Sequence, residues 1–207
     1  MKIHNKLDEL LKNSSKVKIL RFLFSEKDEH TGRAIARAIN MSVSSTYENL
    51  QNLKEEGLIS LRKKGNSILY SIRLENQIVR KLLNPLFKQE QSIFTDIISL
   101  IKKSLSKNTL KISSIAFFGS VVRKEETVKS DIDLLVVAKN RQAKTEITKA
   151  LDSLNQDIAK KYGAAISPYL VTKEELKNKY ISKKAIVKSI LENNQLILGE
   201  PIERIIA

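Results

Sequence analysis

The stretch Phe117–Val137, FFGSVVRKEETVKSDIDLLVV, decides the fold of the second half of this 207-residue chain. The run ISSIAFF leads into it, and its β-branched and aromatic residues predict a buried strand that ends at Gly119-Ser120. After ten further residues, Asp131-Ile132-Asp133 opens a second apolar run, DIDLLVVA. Side chains two positions apart on a strand point to the same face, so the carboxylates of Asp131 and Asp133 are predicted to lie side by side.

Each part of this motif suits phosphate chemistry. Gly119 allows the backbone to approach a triphosphate closely, and Ser120 adds a hydroxyl donor. The residues that follow predict a short helix, whose free amides favour phosphate, and Arg123 lies one turn further on, where it can contact phosphate or brace the carboxylates. Two adjacent carboxylates are a natural site for Mg²⁺ shared with substrate phosphates, so we predict Asp131 and Asp133 as metal ligands.

The pattern of Gly-Ser, ten residues and Asp-x-Asp resembles the nucleotidyltransferase fold of the DNA polymerase β superfamily. The closest resemblance is to its minimal nucleotidyltransferases, over roughly residues 90–200. The resemblance implies Mg²⁺-dependent transfer of a nucleotide from ATP or another NTP to a hydroxyl, with Asp131 and Asp133 as catalytic residues. It also implies that Gly119, Ser120 and Arg123 bind the nucleotide.

The sequence departs from that family at a third carboxylate, which the family places on a later strand. The corresponding run here is AISPYLV at Ala165–Val171, where Ser167 or Tyr169 stands in the expected place of an acid. Glu174 and Glu175 follow, but we predict them in the first turn of the next helix, where acids suit the helix dipole. Two-metal catalysis, single-metal catalysis and nucleotide binding without turnover therefore stay open.

The first third of the chain predicts a compact DNA-binding fold. Apolar spacing predicts helices over 15–24, 31–39 and 42–56, with Thr31 as an N-cap and Gly57 after the last helix. Two alternating runs around Lys64-Gly65-Asn66 predict a β-hairpin. This order of elements resembles the winged helix-turn-helix superfamily over about residues 14–75.

The third of these helices is predicted to read DNA. If Val43, Tyr47, Leu50 and Leu53 face inward, short polar side chains face outward, where they can meet base edges. The predicted DNA-binding residues are Ser44, Ser45, Asn49 and Asn52 on this helix, and Arg62, Lys63 and Lys64 at the hairpin tip for phosphate contact. The alternative is a winged fold that is used for protein contacts alone.

Residues 76–106 predict a long helix that Pro85 breaks or restarts. Its apolar stripe is wide enough both to pack inside the chain and to form a homodimer seam, which would suit a DNA reader with two half-sites.

Composition narrows the range of partners and compartments. The net charge is +14, divided as +5, +4 and +5 over residues 1–75, 76–110 and 111–207, so double-stranded DNA and nucleotides are expected partners. Zero cysteines exclude a disulfide scaffold and a thiol nucleophile. Met1–Asn13 has no signal-peptide core and no apolar run would span a membrane, so we expect a cytoplasmic protein. His4 and His30 receive no role.

We therefore predict an α+β protein with two domains and a connecting segment. These are a winged helix-turn-helix (1–75), a connecting apolar helix (76–110) and a nucleotidyltransferase-fold α/β domain with a mixed sheet (111–207). The predicted function is DNA binding combined with Mg²⁺-dependent transfer of a nucleotide, most simply AMP from ATP, to an unknown acceptor. The alternative is a transcriptional regulator whose degenerate second domain only binds a nucleotide or a partner. A third hypothesis makes the protein an antitoxin-like partner of a toxin.

Overall fold

The computed structural model describes residues 6–127 and 129–207, and the chain divides into two compact units, Met1–Ile93 and Phe94–Ala207. Residues 1–5, which include His4 and belong to the segment without a predicted signal-peptide core, lie outside the described residues. Helices and a mixed sheet confirm the α+β prediction. No helix of the described part combines the length and hydropathy that a membrane span requires.

The first unit has the order of a winged helix-turn-helix. Its elements are α1 (Lys6–Lys12), α2 (Ser14–Glu26), β1 (His30–Thr31), α3 (Gly32–Ala38), α4 (Val43–Glu55), β2 (Ile59–Lys64) and β3 (Ser67–Ile72). Strands β2 and β3 form the predicted hairpin, and β1, which the sequence analysis missed, adds a third antiparallel strand beside β3.

The predicted helix boundaries of this unit are confirmed by their caps. The Thr31 hydroxyl accepts a hydrogen bond from Ala34 N at 3.2 Å at the start of α3. Gly57 follows α4 with a φ of +74°, the left-handed conformation that ends many helices. The unit's core is mainly aliphatic and includes Ile19, Leu20, Ile35, Leu50 and Leu53.

The helix predicted around Pro85 is continuous but changes its winding. Residues Val79–Leu83 form a π-helical turn, which leads directly into α5 (Asn84–Ser104). Proline has no N–H and crowds the preceding turn, and a wider turn absorbs both effects without ending the helix. Helix α5 contributes Phe87 to the core of the first unit and Ile97 and Ile101 to that of the second.

The second unit is a four-stranded mixed sheet with helices on both faces. Its elements are a 3₁₀ turn (Ser106–Lys111), β4 (Ile112–Phe118), α6 (Ser120–Arg123), β5 (Ile132–Ala138), α7 (Arg141–Tyr162), β6 (Ile166–Thr172), α8 (Lys173–Ile181), α9 (Ala185–Glu192), β7 (Asn194–Gly199) and α10 (Ile202–Ile206). The strand order is β6-β5-β4-β7, and only β5 and β6 are parallel.

The two central strands of the sheet, β4 and β5, are buried on both faces, in keeping with their unbroken apolar runs. Phe117 and Leu134 belong to the core on the face of α5 and α7. Phe118 and Leu135 belong to the core on the opposite face, beneath α8, α9 and α10. The strands therefore hold their ends in a rigid framework, on which the motif residues sit.

Candidate functional site

The residues of the predicted motif meet at one edge of the sheet. Strand β4 ends at Phe118 and leads into Gly119 and Ser120, while Asp131 immediately precedes β5. Because β4 and β5 are antiparallel and Phe117 pairs with Leu134, the end of one strand adjoins the start of the other. Residues separated by more than ten positions in the sequence are thereby neighbours.

Gly119 and Asp133 are in direct contact. A Cβ atom on Gly119 would lie 2.0 Å from Oδ2 of Asp133, far inside van der Waals contact, and Gly119 has a φ of +72°. Only glycine satisfies both conditions, because any other residue would be strained and would displace the carboxylate. The role proposed for Gly119 from sequence, close backbone approach, thus extends to the carboxylate itself.

The carboxyl of Asp133 is held in an environment that resists its ionisation. Partial burial raises its pKa, the neighbouring charge of Asp131 raises it further, and the Arg123 guanidinium opposes both effects. Adjacent carboxylates that repel each other are typical of functional sites. The donor set fits Mg²⁺, which binds one or two carboxylates together with substrate phosphates.

Arg123 lies at the end of α6, within electrostatic reach of Asp133. Its Nε donates a hydrogen bond to Oε2 of Glu125 at 2.7 Å, which the sequence analysis did not foresee. A phosphate group that binds Arg123 would compete with this carboxylate, so Glu125 weakens the cationic character of the site.

Ser167, one of the two residues in the expected place of a third acid, is the one that lies opposite Asp133. Strands β5 and β6 are parallel with Asp133 opposite Ser167, and the side chain of Ser167 is exposed. Glu174 and Glu175 lie in the first turn of α8 as predicted, and Glu175 forms a capping box with Thr172. No cluster of three acidic or histidine side chains suited to a metal occurs within residues 6–127 and 129–207.

The predicted DNA face of α4 is wrong in its orientation. Val43 and Tyr47, predicted inward, are 46% and 39% exposed, whereas Asn49, predicted outward, is only 6% exposed. The Asn49 amide donates to the carbonyl of Ser45 at 2.8 Å, and its Oδ1 accepts a hydrogen bond from Asn13 at 3.1 Å. Asn49 therefore ties α4 to the start of α2, and its burial removes it from the surface that could meet a base.

The other predicted α4 residues lie nearer to the surface. Ser44 is exposed, and Ser45 and Asn52 are partly buried. Tyr47 and Val43 join Ser44 on the exposed face, which makes that face more apolar than the sequence analysis expected.

The hairpin residues Arg62, Lys63 and Lys64 are all exposed, but they differ in their partners. Arg62 forms a forked ion pair with Glu29, including an Nε–Oε1 hydrogen bond of 2.9 Å. Such pairing leaves Lys63 and Lys64 as the hairpin cations better placed for phosphate.

Two further cations were missed by the sequence analysis. Arg33 and Arg37 lie four residues apart on α3 and are both exposed, so they share one side of that helix. The sequence signal that could have identified them was the i, i+4 spacing of two arginines on the helix that precedes α4.

Comparisons with known proteins agree with the division of the chain. The family model "Nucleotidyltransferase domain" matches residues 98–197. Two curated proteins of Methanocaldococcus jannaschii, both bearing the name protein adenylyltransferase, are similar to the second half. One is 39% identical over 88 residues, which is 42% of this chain and 83% of that protein. The other is 32% identical over 83 residues, which is 39% of this chain and 77% of that protein.

Solved structures resemble each half separately. A homodimeric winged helix-turn-helix DNA-binding domain from Mycobacterium bovis is 30% identical, covers 42% of this chain and 74% of its own, and has a TM-score of 0.33. A tri-AMPylated Shewanella oneidensis HEPN toxin in complex with MNT antitoxin is matched at 22% identity, over 51% of this chain and 72% of that chain, with a TM-score of 0.29. Because both scores are below 0.5, the assignment rests on the sequence relatives.

Proposed function

The chain belongs to the nucleotidyltransferase domain family, and from this premise we propose that its second unit transfers a nucleotide, AMP from ATP in the simplest case, to a hydroxyl of a protein. The observation that carries the proposal is the contact between Gly119 and the carboxylate of Asp133, at the edge where Asp131 and Ser120 also lie. The names of the two archaeal relatives favour a protein as acceptor.

In the proposed reaction, the acceptor oxygen attacks the α-phosphorus of the NTP and a new P–O bond forms. The bond from that phosphorus to the bridging oxygen breaks, and pyrophosphate leaves with the electron pair. A Mg²⁺ ion held by Asp131 and Asp133 would neutralise phosphate charge and favour the ionised acceptor oxygen. Gly119 and Ser120 orient the triphosphate, and Arg123 stabilises its charge after exchanging Glu125 for phosphate.

The acceptor proton needs a destination. Ser167 can donate or accept a hydrogen bond but cannot take a proton near neutral pH, so it cannot serve as the base that a third carboxylate would provide. In this proposal the proton passes to solvent water, which limits the rate and leaves binding intact.

A second function, nucleotide sensing, is favoured because position 167 carries a serine and no acid. The second unit would bind a nucleotide without turnover and act as a sensor for the DNA-binding unit. This alternative predicts that DNA affinity changes when an NTP is added.

We also propose that the first unit binds double-stranded DNA as a homodimer. The cations Lys63, Lys64, Arg33 and Arg37 supply charge for phosphate contact. Leu11, Leu82 and Leu86 are each about half exposed around a shallow groove that Leu83 also lines, and such an apolar patch suits a second copy of the chain.

The decisive experiment is calorimetric titration of the full chain with Mg²⁺ and a non-hydrolysable ATP analogue. We expect metal-dependent binding that is lost in Asp131→Ala/Asp133→Ala and kept in Asp152→Ala/Asp157→Ala, which removes the same charge from the exposed side of α7. Equal binding by both double variants would contradict the proposed site.

Transfer itself is measured with α-labelled ATP and a cell extract as acceptor. Label on protein that requires Asp131 and Asp133 would establish the transferase. Binding of the analogue without any transferred label would favour the sensor, and it would be followed by DNA titrations with and without NTP.

A further inference from the structure

The second unit also contains a cavity, which is formed by the end of α8 and by α9. It is open to solvent, has a volume of about 340 Å³, and is lined by Tyr180, Lys183, Lys184, Val187, Lys188 and Leu191, with Glu192 at its end. None of these residues belongs to the motif that holds the proposed nucleotide site.

The cavity and that site are connected through the same face of the sheet. Leu191 and Glu192 precede Asn194, the first residue of β7, which pairs with Phe118 at the end of β4. Val187 and Leu191 pack in the same cluster as Phe118, on the sheet face towards which Asp133 points.

The side chains that line the cavity carry mainly positive charge. Three lysines line it against one carboxylate, and that carboxylate, Glu192, is 3.7 Å from Lys188 in an exposed pair. Within the described part of the chain, Lys183 and Lys184 have no ion-pair partner. Clustered like charges repel each other, so an anionic ligand would stabilise this arrangement.

Lys183 occupies a position that its backbone does not favour. It has a φ of +53° and follows the end of α8, where Lys184 N donates to Lys179 O at 3.0 Å and Lys183 N donates to Tyr180 O at 2.9 Å. Glycine is the usual residue at this left-handed position, because it carries no Cβ penalty.

We propose that this cavity binds an acidic segment of the protein acceptor and delivers its hydroxyl to the transfer site. The inference rests on the proposed transferase function and adds the acceptor's chemical class. Tyr180, Val187 and Leu191 form an apolar wall suited to peptide side chains, and the lysines suit flanking Asp or Glu. Phosphate-binding groups are already supplied elsewhere, at Ser120 and Arg123, so a peptide fits the cavity better than a second polyphosphate.

The test uses the full chain and a fluorescein-labelled peptide of alternating Glu and Tyr, measured by anisotropy. We expect Lys183→Gly to weaken peptide binding at least fivefold while it raises the Tm, because it relieves the left-handed backbone. Lys27→Gly is the matched control, since Lys27 has a φ of +59° after α2 in the other unit. It should raise the Tm and leave peptide affinity unchanged.

A second variant separates the loss of a lysine charge from a change in the conformation of the loop. Lys184→Gln keeps the loop backbone, whose φ at residue 184 is −63°, and should also weaken binding of the acidic peptide. A peptide of alternating Lys and Tyr should not bind the wild-type chain.

Several results would overturn the proposal. Equal peptide affinity in wild type, Lys183→Gly and Lys184→Gln would exclude this cavity. Weaker binding of the Mg²⁺–ATP analogue in both lysine variants would assign the cavity to the nucleotide instead. Binding of a single-stranded oligothymidylate, with no binding of the acidic peptide, would assign it to nucleic acid. Failure of the transferase proposal is distinct, since it appears as loss of nucleotide binding or transfer in the wild type.

Discussion

The side-chain orientations at the start of β5 and on α4 were both predicted from periodicity. The structure agrees with the prediction on β5 and differs from it on α4. On β5 the two-residue spacing predicted that Asp131 and Asp133 share a face, and Asp133 lies there against Gly119. On α4 the buried set is Thr46, Asn49, Leu50 and Leu53. The inward face of α4 is thus turned by roughly 50° from the predicted one, which is about half of one residue's step around a helix.

The difference lies in how many orientations each element allows. A strand has two faces, and a shift of one residue would move both carboxylates to the opposite face, so the pattern leaves no intermediate choice. A helix can turn by small angles, and its neighbours decide which angle is adopted. In α4 the neighbours are Asn13, which hydrogen-bonds to Asn49, and Gly32, which leaves room for the Tyr47 ring.

The largest effect should come from breaking the contact on the strand side. Gly119→Ala would bring a Cβ against the Asp133 carboxylate and strain the backbone, so we expect nucleotide binding to fall by roughly 100-fold or more, measured by calorimetry. Gly163→Ala is the control, because Gly163 has a φ of +64° but nothing within 4 Å of the added Cβ. Equal loss in both variants would show that strain alone, rather than the contact, is responsible.

On the helix side, the buried amide should matter for stability. Asn49→Ala removes the hydrogen bond that the Asn13 amide donates to Asn49, so we expect the first unit to lose about 1–3 kcal/mol of unfolding free energy. Asn52→Ala, one turn away and partly buried, should change stability by no more than about 0.5 kcal/mol. Calorimetric unfolding measures the stability of both variants. Similar losses in the two would support the orientation of α4 that was predicted from the sequence.

A smaller effect is expected at the hairpin. Lys63→Ala/Lys64→Ala should lower the slope of log affinity for DNA against log salt by about 2 and weaken binding uniformly across sequences. Lys102→Ala/Lys103→Ala removes the same charge from the exposed surface of α5 and should leave the slope unchanged. Anisotropy titrations at several salt concentrations separate the two outcomes.

The smallest effect is expected from the ionisation of Asp133. Its pKa is raised, so the folded state favours the protonated form and the associated stability is lost as pH rises through that pKa. Asp133→Asn should therefore raise the Tm at neutral pH, by at most about 2 °C because the group is partly solvated. The Tm difference should vanish below the ordinary pKa of aspartate, and its persistence there would point to another cause.

The same carboxyl gives a pH signature in binding. Arg123 lowers the pKa of Asp133, so Arg123→Gln should move the pH midpoint of metal-dependent nucleotide binding upward. An unchanged midpoint would show that Asp133 does not control metal binding.

Much of the fold could be predicted because local chemistry is decisive there. Thr31 as a cap, Gly57 after α4, the hairpin around Gly65 and the acids in the first turn of α8 all follow from short-range hydrogen bonds and backbone preferences. Strand β1 was missed because two residues carry no periodic signal. The π turn before Pro85 was missed because a proline indicates that a helix is perturbed but not which backbone conformation results.

The sequence by itself determined the motif and the family, because Gly-Ser and Asp-x-Asp are recognised by their spacing along two adjacent strands. Only the tertiary structure decided which side of α4 is buried, that Arg62 and Arg123 are engaged by Glu29 and Glu125, that Ser167 lies opposite Asp133, and that three lysines line one cavity. These features depend on contacts between distant residues, whose geometry no local pattern encodes.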